Sequence, residues 1–137
     1  MAIPTDNNQL ERLLKEIQFN DQGLIPAIAQ SHDSKEVLMM AWMNEDAIKE
    51  TLETGRVCYY SRSRSKLWRK GESSGQIQTL KNFRIDCDRD TILLFVEQIG
   101  VACHTGRRSC FFEEVSNDGQ IKIVADVLKS PDDLYGK

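Results

Sequence analysis

Aspartate occupies every second position of the run Asp-Cys-Asp-Arg-Asp at residues 86–90. Side chains of a β-strand point alternately to its two faces. An extended segment over 84–90 would therefore place three carboxylates on one face and Cys87 on the other. Adjacent carboxylates repel one another, and a divalent cation such as Mg²⁺ relieves that repulsion through oxygen ligands. The run predicts a strand with a divalent-metal site at Asp86, Asp88 and Asp90; an acidic, solvated strand edge or turn is the alternative.

Thiols follow the aspartate run closely, in Cys103-His104 and Cys110. No CxxC pair completes a four-ligand structural site, so Cys87, Cys103 and Cys110 offer three zinc ligands and leave one position open. That arrangement is typical of a catalytic zinc, whose bound water has a pKa of about 7. Ordinary buried or free thiols are the alternative. His104 could be a fourth ligand, a proton-transfer group or a structural residue; we favour proton transfer or substrate polarisation over ligation, because the thiols already supply three ligands.

The alternation of the predicted strand separates the two ligand sets. Because Cys87 would face away from the aspartates, its zinc partners must lie on another surface. That surface belongs either to the 103–110 loop of the same chain or to a second copy of the protein. Cys58 is most simply a packed strand residue.

Composition limits the class of protein. A chain of 137 residues suffices for one domain with a core. Its net charge of −3 argues against a general nucleic-acid binder. No apolar run approaches the roughly 20 residues of a membrane span, and the N-terminus lacks the apolar core of a secretory signal. We therefore expect a cytoplasmic protein with neither membrane nor nucleic-acid partners.

Hydrophobic periodicity predicts a strand-rich α+β fold, with residues 1–137 forming a single domain. Its strands are mainly antiparallel, with one main helix between them, from an Asn44 cap to a stop at Gly55. A shorter amphipathic helix is expected within residues 1–20, and residues 129–137 as a frayed tail. The predicted strands are 24–30, 36–43, 56–63, 76–88, 109–115 and 120–128, and 91–98 is either a strand or a helix.

A basic segment, residues 61–75, contains a tryptophan and ends in a glycine-flanked turn. Arginine forks bind phosphate bidentately, and backbone amides of the 71–75 turn could cradle one. The alternatives are a solvated basic face or an RNA-contact patch, the latter weakened by the acidic overall charge. The candidate substrate-binding residues are Arg62, Arg64, Trp68, Lys70, Glu72 and Ser74.

Several motifs in order resemble the phosphoribosyl-AMP cyclohydrolase family over roughly residues 20–115. They are WMNEDA (42–47), TG (54–55), YYSRSR (59–64), LWRKGESSG (67–75), DCDRD (86–90) and ACHTGRRSCFF (102–112). One departure is Ser73, where the family often has threonine.

The resemblance implies a metal-dependent hydrolase of L-histidine biosynthesis. Its nucleotide substrate, N1-(5-phosphoribosyl)-AMP, would be opened between N1 and C6 of the purine. It also implies Zn²⁺ held by Cys87, Cys103 and Cys110, and Mg²⁺ held by Asp86, Asp88 and Asp90. An intertwined homodimer is implied as well, with Cys87 of one subunit completing the zinc site of the other.

A mechanism follows as a hypothesis. A hydroxide activated by zinc attacks C6, His104 acts as the catalytic residue that moves a proton, and Mg²⁺ neutralises phosphate or orders the substrate. The competing class is a zinc-stabilised RNA-contacting protein that uses the basic segment.

Overall fold

The computed structural model describes residues 6–130 and residue 132, which form an α+β fold with two helices and eight strands. The helices are α1 (Asn7–Glu16) and α2 (Glu45–Thr54). The strands are β1 (Ile25–Ser31), β2 (Val37–Met43), β3 (Cys58–Ser61), β4 (Lys66–Arg69), β5 (Gln78–Ile85), β6 (Ile92–Gln98), β7 (Glu113–Val115) and β8 (Ile121–Ile123).

Six strands make one mostly antiparallel sheet in the order β4-β3-β2-β1-β6-β5, and β7 and β8 form a separate hairpin. The central pair β1–β6 is parallel, with Ala27 opposite Ile92. The predicted α+β class is confirmed, and the ambiguous apolar run at 91–98 is a strand. None of the described helices has both the length and the apolar character needed to cross a membrane.

Local signals define α2. The Asn44 side chain accepts a hydrogen bond from the Ala47 amide at 2.8 Å, and Gly55 ends the helix in the left-handed region at φ +76°. Both predicted ends are confirmed. Ile48 and Leu52, one turn apart on the same face, are buried as that spacing requires.

The core lies between the sheet and the two helices. Alternate residues of β1, namely Ile25, Ala27 and Ala29, are fully buried, as a half-buried strand pattern predicts. Leu10 and Leu14 of α1 belong to the same apolar cluster. Both predicted helices are present, α1 before the sheet and α2 between β2 and β3, and they have the same length of 10 residues each.

The strand predicted over 84–90 was wrong beyond Ile85. β5 ends at Ile85, and residues 86–91 form the hairpin loop to β6. The Asp86 carboxylate accepts hydrogen bonds from the amides of Asp90 at 3.0 Å and Thr91 at 3.2 Å. Such local bonds from aspartate compete with strand pairing and favour a turn. The alternation argument, which placed Cys87 opposite the aspartates, therefore does not hold.

Other boundaries differ more modestly. The basic segment contains β4, which pairs antiparallel with β3 and was not predicted as a strand. The strands predicted on either side of residues 116–119 do pair as a hairpin, but β7 and β8 cover three residues each rather than the longer predicted segments. Residues 1–5, 131 and 133–137 lie outside the described part, and with them most of the predicted frayed tail.

Candidate active site and metal centres

The aspartate turn gathers three carboxylates although its backbone is not extended. Asp86, Asp88 and Asp90 are exposed, and one ligand oxygen from each lies within 4.8 Å of the others. A hydrogen bond with Asp88 raises the pKa of Asp90, as do loss of hydration and the neighbouring negative charges. Loss of hydration opposes ionisation of Asp86 as well, but the amides of Asp90 and Thr91 hold its pKa below the usual value. This crowded oxygen set fits a hard divalent cation such as Mg²⁺.

The end of α1 holds the aspartate turn in place. The Gln18 amide donates to the Arg89 carbonyl at 2.8 Å, and the Arg89 guanidinium pairs with the Glu16 carboxylate. Arg89 itself adopts the left-handed conformation at φ +63°, which is uncommon for a residue with a side chain. These contacts fix the direction in which the turn presents its carboxylates.

The thiol loop, residues 103–110, connects the sheet to the C-terminal hairpin. Its tight turn is closed by the Gly106 amide, which donates to the Cys103 carbonyl at 3.0 Å. The Cys110 amide donates to the Leu38 carbonyl at 2.6 Å, so one end of the loop is anchored on β2. Cys103 is buried and Cys110 is exposed.

The thiols of Cys103 and Cys110 lie beside each other. Desolvation by the surrounding protein, then the charge and hydrogen bond of Cys103, raise the pKa of Cys110 to about 12. The Cys110 thiol would therefore remain protonated without a cation, and a zinc ion would reverse this by binding its thiolate. The donor chemistry fits zinc. The Thr105 hydroxyl, which the sequence did not single out, donates to Cys103 Sγ at 3.0 Å.

Cys87 is exposed within the aspartate turn. Across residues 6–130 and 132, the aspartate trio is the one group of three or more potential metal-binding side chains whose ligand atoms come within 4.8 Å. The fold thus brings together two of the three predicted zinc ligands and leaves Cys87 apart from them. Cys58 is fully buried in β3, as predicted for a packed strand residue.

A cavity of ≈ 330 Å³ unites the basic segment with the thiol loop. This volume lies at the lower end of the range for small-molecule sites. Its walls include six predicted site residues: Arg64, Trp68, Lys70, Glu72, Ser74 and His104. Arg62 is not among the lining residues; its guanidinium carbon lies 4.8 Å from the ring centre of Trp42.

Lys70 connects the cavity with the thiols. It is 6% exposed, and no other lysine or arginine of the described segment is buried. Burial lowers the pKa of its ammonium, and the nearby Cys110 and Cys103 oppose that change. Its Nζ lies 5.9 Å from the ring centre of Trp68. A buried cation without a carboxylate partner is costly, which suggests that an anionic group completes this site.

A buried polar network behind the thiols was missed by sequence reasoning. Tyr59 donates its hydroxyl to Gln78 Oε1 at 2.7 Å, and Gln78 Nε2 donates to Gln98 Oε1 at 2.9 Å. Gln98 Nε2 then donates to the Ile99 carbonyl at 2.8 Å, on the segment that leads to Cys103. The available signal was the position of Gln78 and Gln98 within apolar-rich segments that could be strands, rather than in loops.

Comparison with known proteins decides the family. A family model described as phosphoribosyl-AMP cyclohydrolase matches residues 39–112. The chain belongs to the phosphoribosyl-AMP cyclohydrolase family. The resemblance drawn from its motifs is thereby confirmed, and every predicted metal ligand and site residue lies inside the matched region.

Similar proteins that carry the family's name match this chain over almost their whole length. The "Phosphoribosyl-AMP cyclohydrolase" of Paramagnetospirillum magneticum is 64% identical over 125 residues, which cover 91% of this chain and 94% of the relative. Those of Granulibacter bethesdensis and Alkalilimnicola ehrlichii are 62% and 59% identical, covering 88% and 98% of this chain and 94% of each relative. The name is that of a hydrolase acting on a cyclic amidine, so the predicted enzyme class is confirmed.

Proposed function

We propose that this protein hydrolyses N1-(5-phosphoribosyl)-AMP at the N1–C6 bond of its purine, a step of L-histidine biosynthesis. The observation that carries the proposal is the cavity that His104 shares with the basic segment. His104 directly follows Cys103, so the cavity adjoins the paired thiols. A cytoplasmic location, where thiols stay reduced, is part of the same proposal.

The two metals would have different roles. Cys87, Cys103 and Cys110 would hold zinc. When bound, zinc would act as a Lewis acid that lowers the pKa of its bound water to about 7. Asp86, Asp88 and Asp90 would hold magnesium and offset phosphate charge. The mixed oxygen and sulfur donor sets support this division, because hard cations prefer carboxylates and zinc accepts thiolates.

His104 would be the proton-transfer residue. Alkylation of N1 makes C6 of the purine electron-poor, so water oxygen can add there. The C6–N1 bond then breaks, its electrons remain on N1, and C6 becomes a carboxamide carbon. One proton leaves the attacking water and one reaches N1. His104, exposed on the cavity wall, can accept the first and deliver the second.

The remaining cavity residues would bind the nucleotide. Arg64 and Lys70 supply positive charge for phosphate, and Trp68 offers a ring face for packing. Glu72 and Ser74 would hydrogen-bond hydroxyl groups of a ribose. Arg62, whose guanidinium lies over the Trp42 ring, would bind the nucleotide from the edge of the site.

A homodimer would complete the zinc site. Cys87 is exposed and apart from the other two thiols, so a second subunit could supply it. A surface for such a partner lies on the β7–β8 hairpin, where Val115 pairs with Ile121 and Ile123 follows on the same face. These side chains are 70%, 66% and 63% exposed, and contiguous apolar exposure favours a protein interface.

The proposal is tested by following the ultraviolet absorbance of the purine during incubation with phosphoribosyl-AMP. We expect ring opening that a strong chelator abolishes and that zinc with magnesium restores. AMP, which lacks the N1 substituent that activates C6, serves as the matched substrate control and should remain intact. Absence of ring opening by the metal-loaded protein would refute the proposal.

A further inference from the structure

The C-terminal strap, defined as residues 125–129, crosses the tip of the thiol loop. The amides of Leu128 and Lys129 both donate to the Gly106 carbonyl, at 2.8 and 3.1 Å. Arg107 Nε donates to the Ala125 carbonyl at 2.9 Å. Three hydrogen bonds therefore join the strap to two consecutive loop residues.

Gly106 permits this close approach. A Cβ at this position would lie 1.7 Å from the Lys129 carbonyl oxygen and 3.0 Å from Val127 Cγ1. Its φ of +90° also favours glycine. Gly119 offers a comparison, because its φ is +83° yet a Cβ there would meet nothing within 4 Å. The contact at Gly106, and not the turn geometry alone, thus requires glycine.

The connection between loop and strap is also fixed. The Val124 amide donates to the Phe112 carbonyl at 2.8 Å, and the Arg107 guanidinium carbon lies 4.1 Å from the Phe112 ring centre. The strap lies beyond residues 39–112, the region that the family model matches. Its contacts are nevertheless directed at the segment between Cys103 and Cys110.

We propose that the C-terminal strap is a positioning element that holds the thiol loop in the geometry needed to bind zinc and covers Cys103. Cys103 is only 4% exposed. Six loop residues, with one short turn among them, separate it from Cys110. Residues that orient metal ligands commonly govern affinity without touching the metal. The inference rests on the zinc site of the proposed function.

Zinc affinity of the full-length protein, measured by competition with a chromogenic chelator, tests the strap. Gly106→Ala should weaken the apparent affinity by about tenfold or more. Gly119→Ala, which imposes similar backbone strain without the clash, should stay within about twofold of wild type. Equal affinities of the two glycine variants would overturn the inference.

Alkylation of Cys103 in the metal-free protein gives a second readout that does not depend on zinc. Its rate, followed by peptide mass spectrometry, should rise in Gly106→Ala and remain unchanged in Gly119→Ala. Arg107→Met keeps a side-chain stem over Phe112 and loses the bond to Ala125, so it should raise the rate roughly threefold to tenfold. This milder variant decides the question if Gly106→Ala does not fold.

An unchanged Cys103 rate in Arg107→Met would contradict the strap even if Gly106→Ala were insoluble. A wild-type protein that binds no zinc would refute the metal site of the proposed function instead. In that case the alkylation rates would still decide whether the strap covers Cys103.

Discussion

Removing one hydroxyl from the buried polar network should measurably destabilise the fold. Tyr59 is fully buried, and its hydroxyl donates to Gln78 Oε1 at 2.7 Å. Tyr59→Phe keeps the ring that packs against Trp68 at a centroid distance of 5.4 Å. The substitution therefore deletes the hydrogen bond while leaving nearly all the apolar contacts.

The size of the destabilisation follows from the acceptor that the substitution leaves buried. Gln78 is 0% exposed, so its Oε1 would lose the Tyr59 donor in a place that water does not reach. A buried acceptor left without a partner costs about 1–3 kcal/mol. For a domain of this length, about 4 °C of melting temperature corresponds to each kcal/mol. We therefore expect Tyr59→Phe to lower the melting temperature by roughly 4–12 °C.

The assay is a thermal melt together with equilibrium unfolding in urea, both on the metal-free protein and at one fixed protein concentration because dimerisation would add stability. Tyr60→Phe is the matched control. Tyr60 is the next residue of β3, is half-buried, and its hydroxyl makes no hydrogen bond to any described residue. Its variant should change the free energy of unfolding by less than about 0.5 kcal/mol. If the two variants had equal effects, the reasoning about the buried acceptor would be refuted.

Four further predictions concern the metals, the subunits and pH. Cys110→Ala should lose zinc and activity yet keep its far-ultraviolet circular dichroism; full activity in zinc-free buffer would contradict the zinc site. Asp88→Asn should weaken the magnesium dependence of the rate, and loss of zinc in metal analysis would argue against two separate sites. Mixing inactive Cys87→Ala and Cys103→Ala subunits should restore up to about a quarter of wild-type activity through intact shared sites, whereas no recovery would oppose the shared zinc. The hydrogen bond from Arg69 lowers the pKa of Glu50, so the pair stabilises above the unfolded-state pKa. The small stability difference between Arg69→Met and wild type should therefore vanish as pH falls through the folded-state pKa of Glu50, and a pH-independent difference would count against the ion pair.

The elements that the sequence predicts well are governed by local chemistry. Asn44 and Gly55 mark the ends of α2 because each meets a need of the adjacent helical turn. The turn at 116–119 is likewise determined by its own residues. Non-local pairing is different: the parallel contact of β1 with β6 joins segments about 65 residues apart, and no local pattern encodes it.

The three aspartates were correctly predicted to lie together, although the extended backbone from which this was predicted is a turn in the structure. Alternation in a strand predicted three neighbouring carboxylates, and the turn also brings them together. The difference lies in Asp86, whose side chain bonds the amides of Asp90 and Thr91 and so ends β5. The separation of Cys87 from the other thiols therefore rests on its place in the β5–β6 loop, not on strand faces.

The C-terminal strap and the cavity were not predicted from the sequence, because both are formed by tertiary contacts. Residues 120–128 have the apolar composition of a strand, but only 121–123 pair with β7. Beyond them, the Leu128 amide instead donates to the Gly106 carbonyl of the thiol loop. Trp68 and Lys70 were expected in a basic loop and lie in or beside β4, where pairing with β3 sets the cavity wall. Such contacts cannot be read from local sequence, because they depend on which segments the core brings together.

The central claim, hydrolysis at C6, is tested most directly by turnover of phosphoribosyl-AMP in H₂¹⁸O with mass-spectrometric location of the label. Water addition at C6 with cleavage of C6–N1 predicts one ¹⁸O atom in the carboxamide group of the product. Label on the one-carbon fragment derived from C2, or a product without label, would contradict the account.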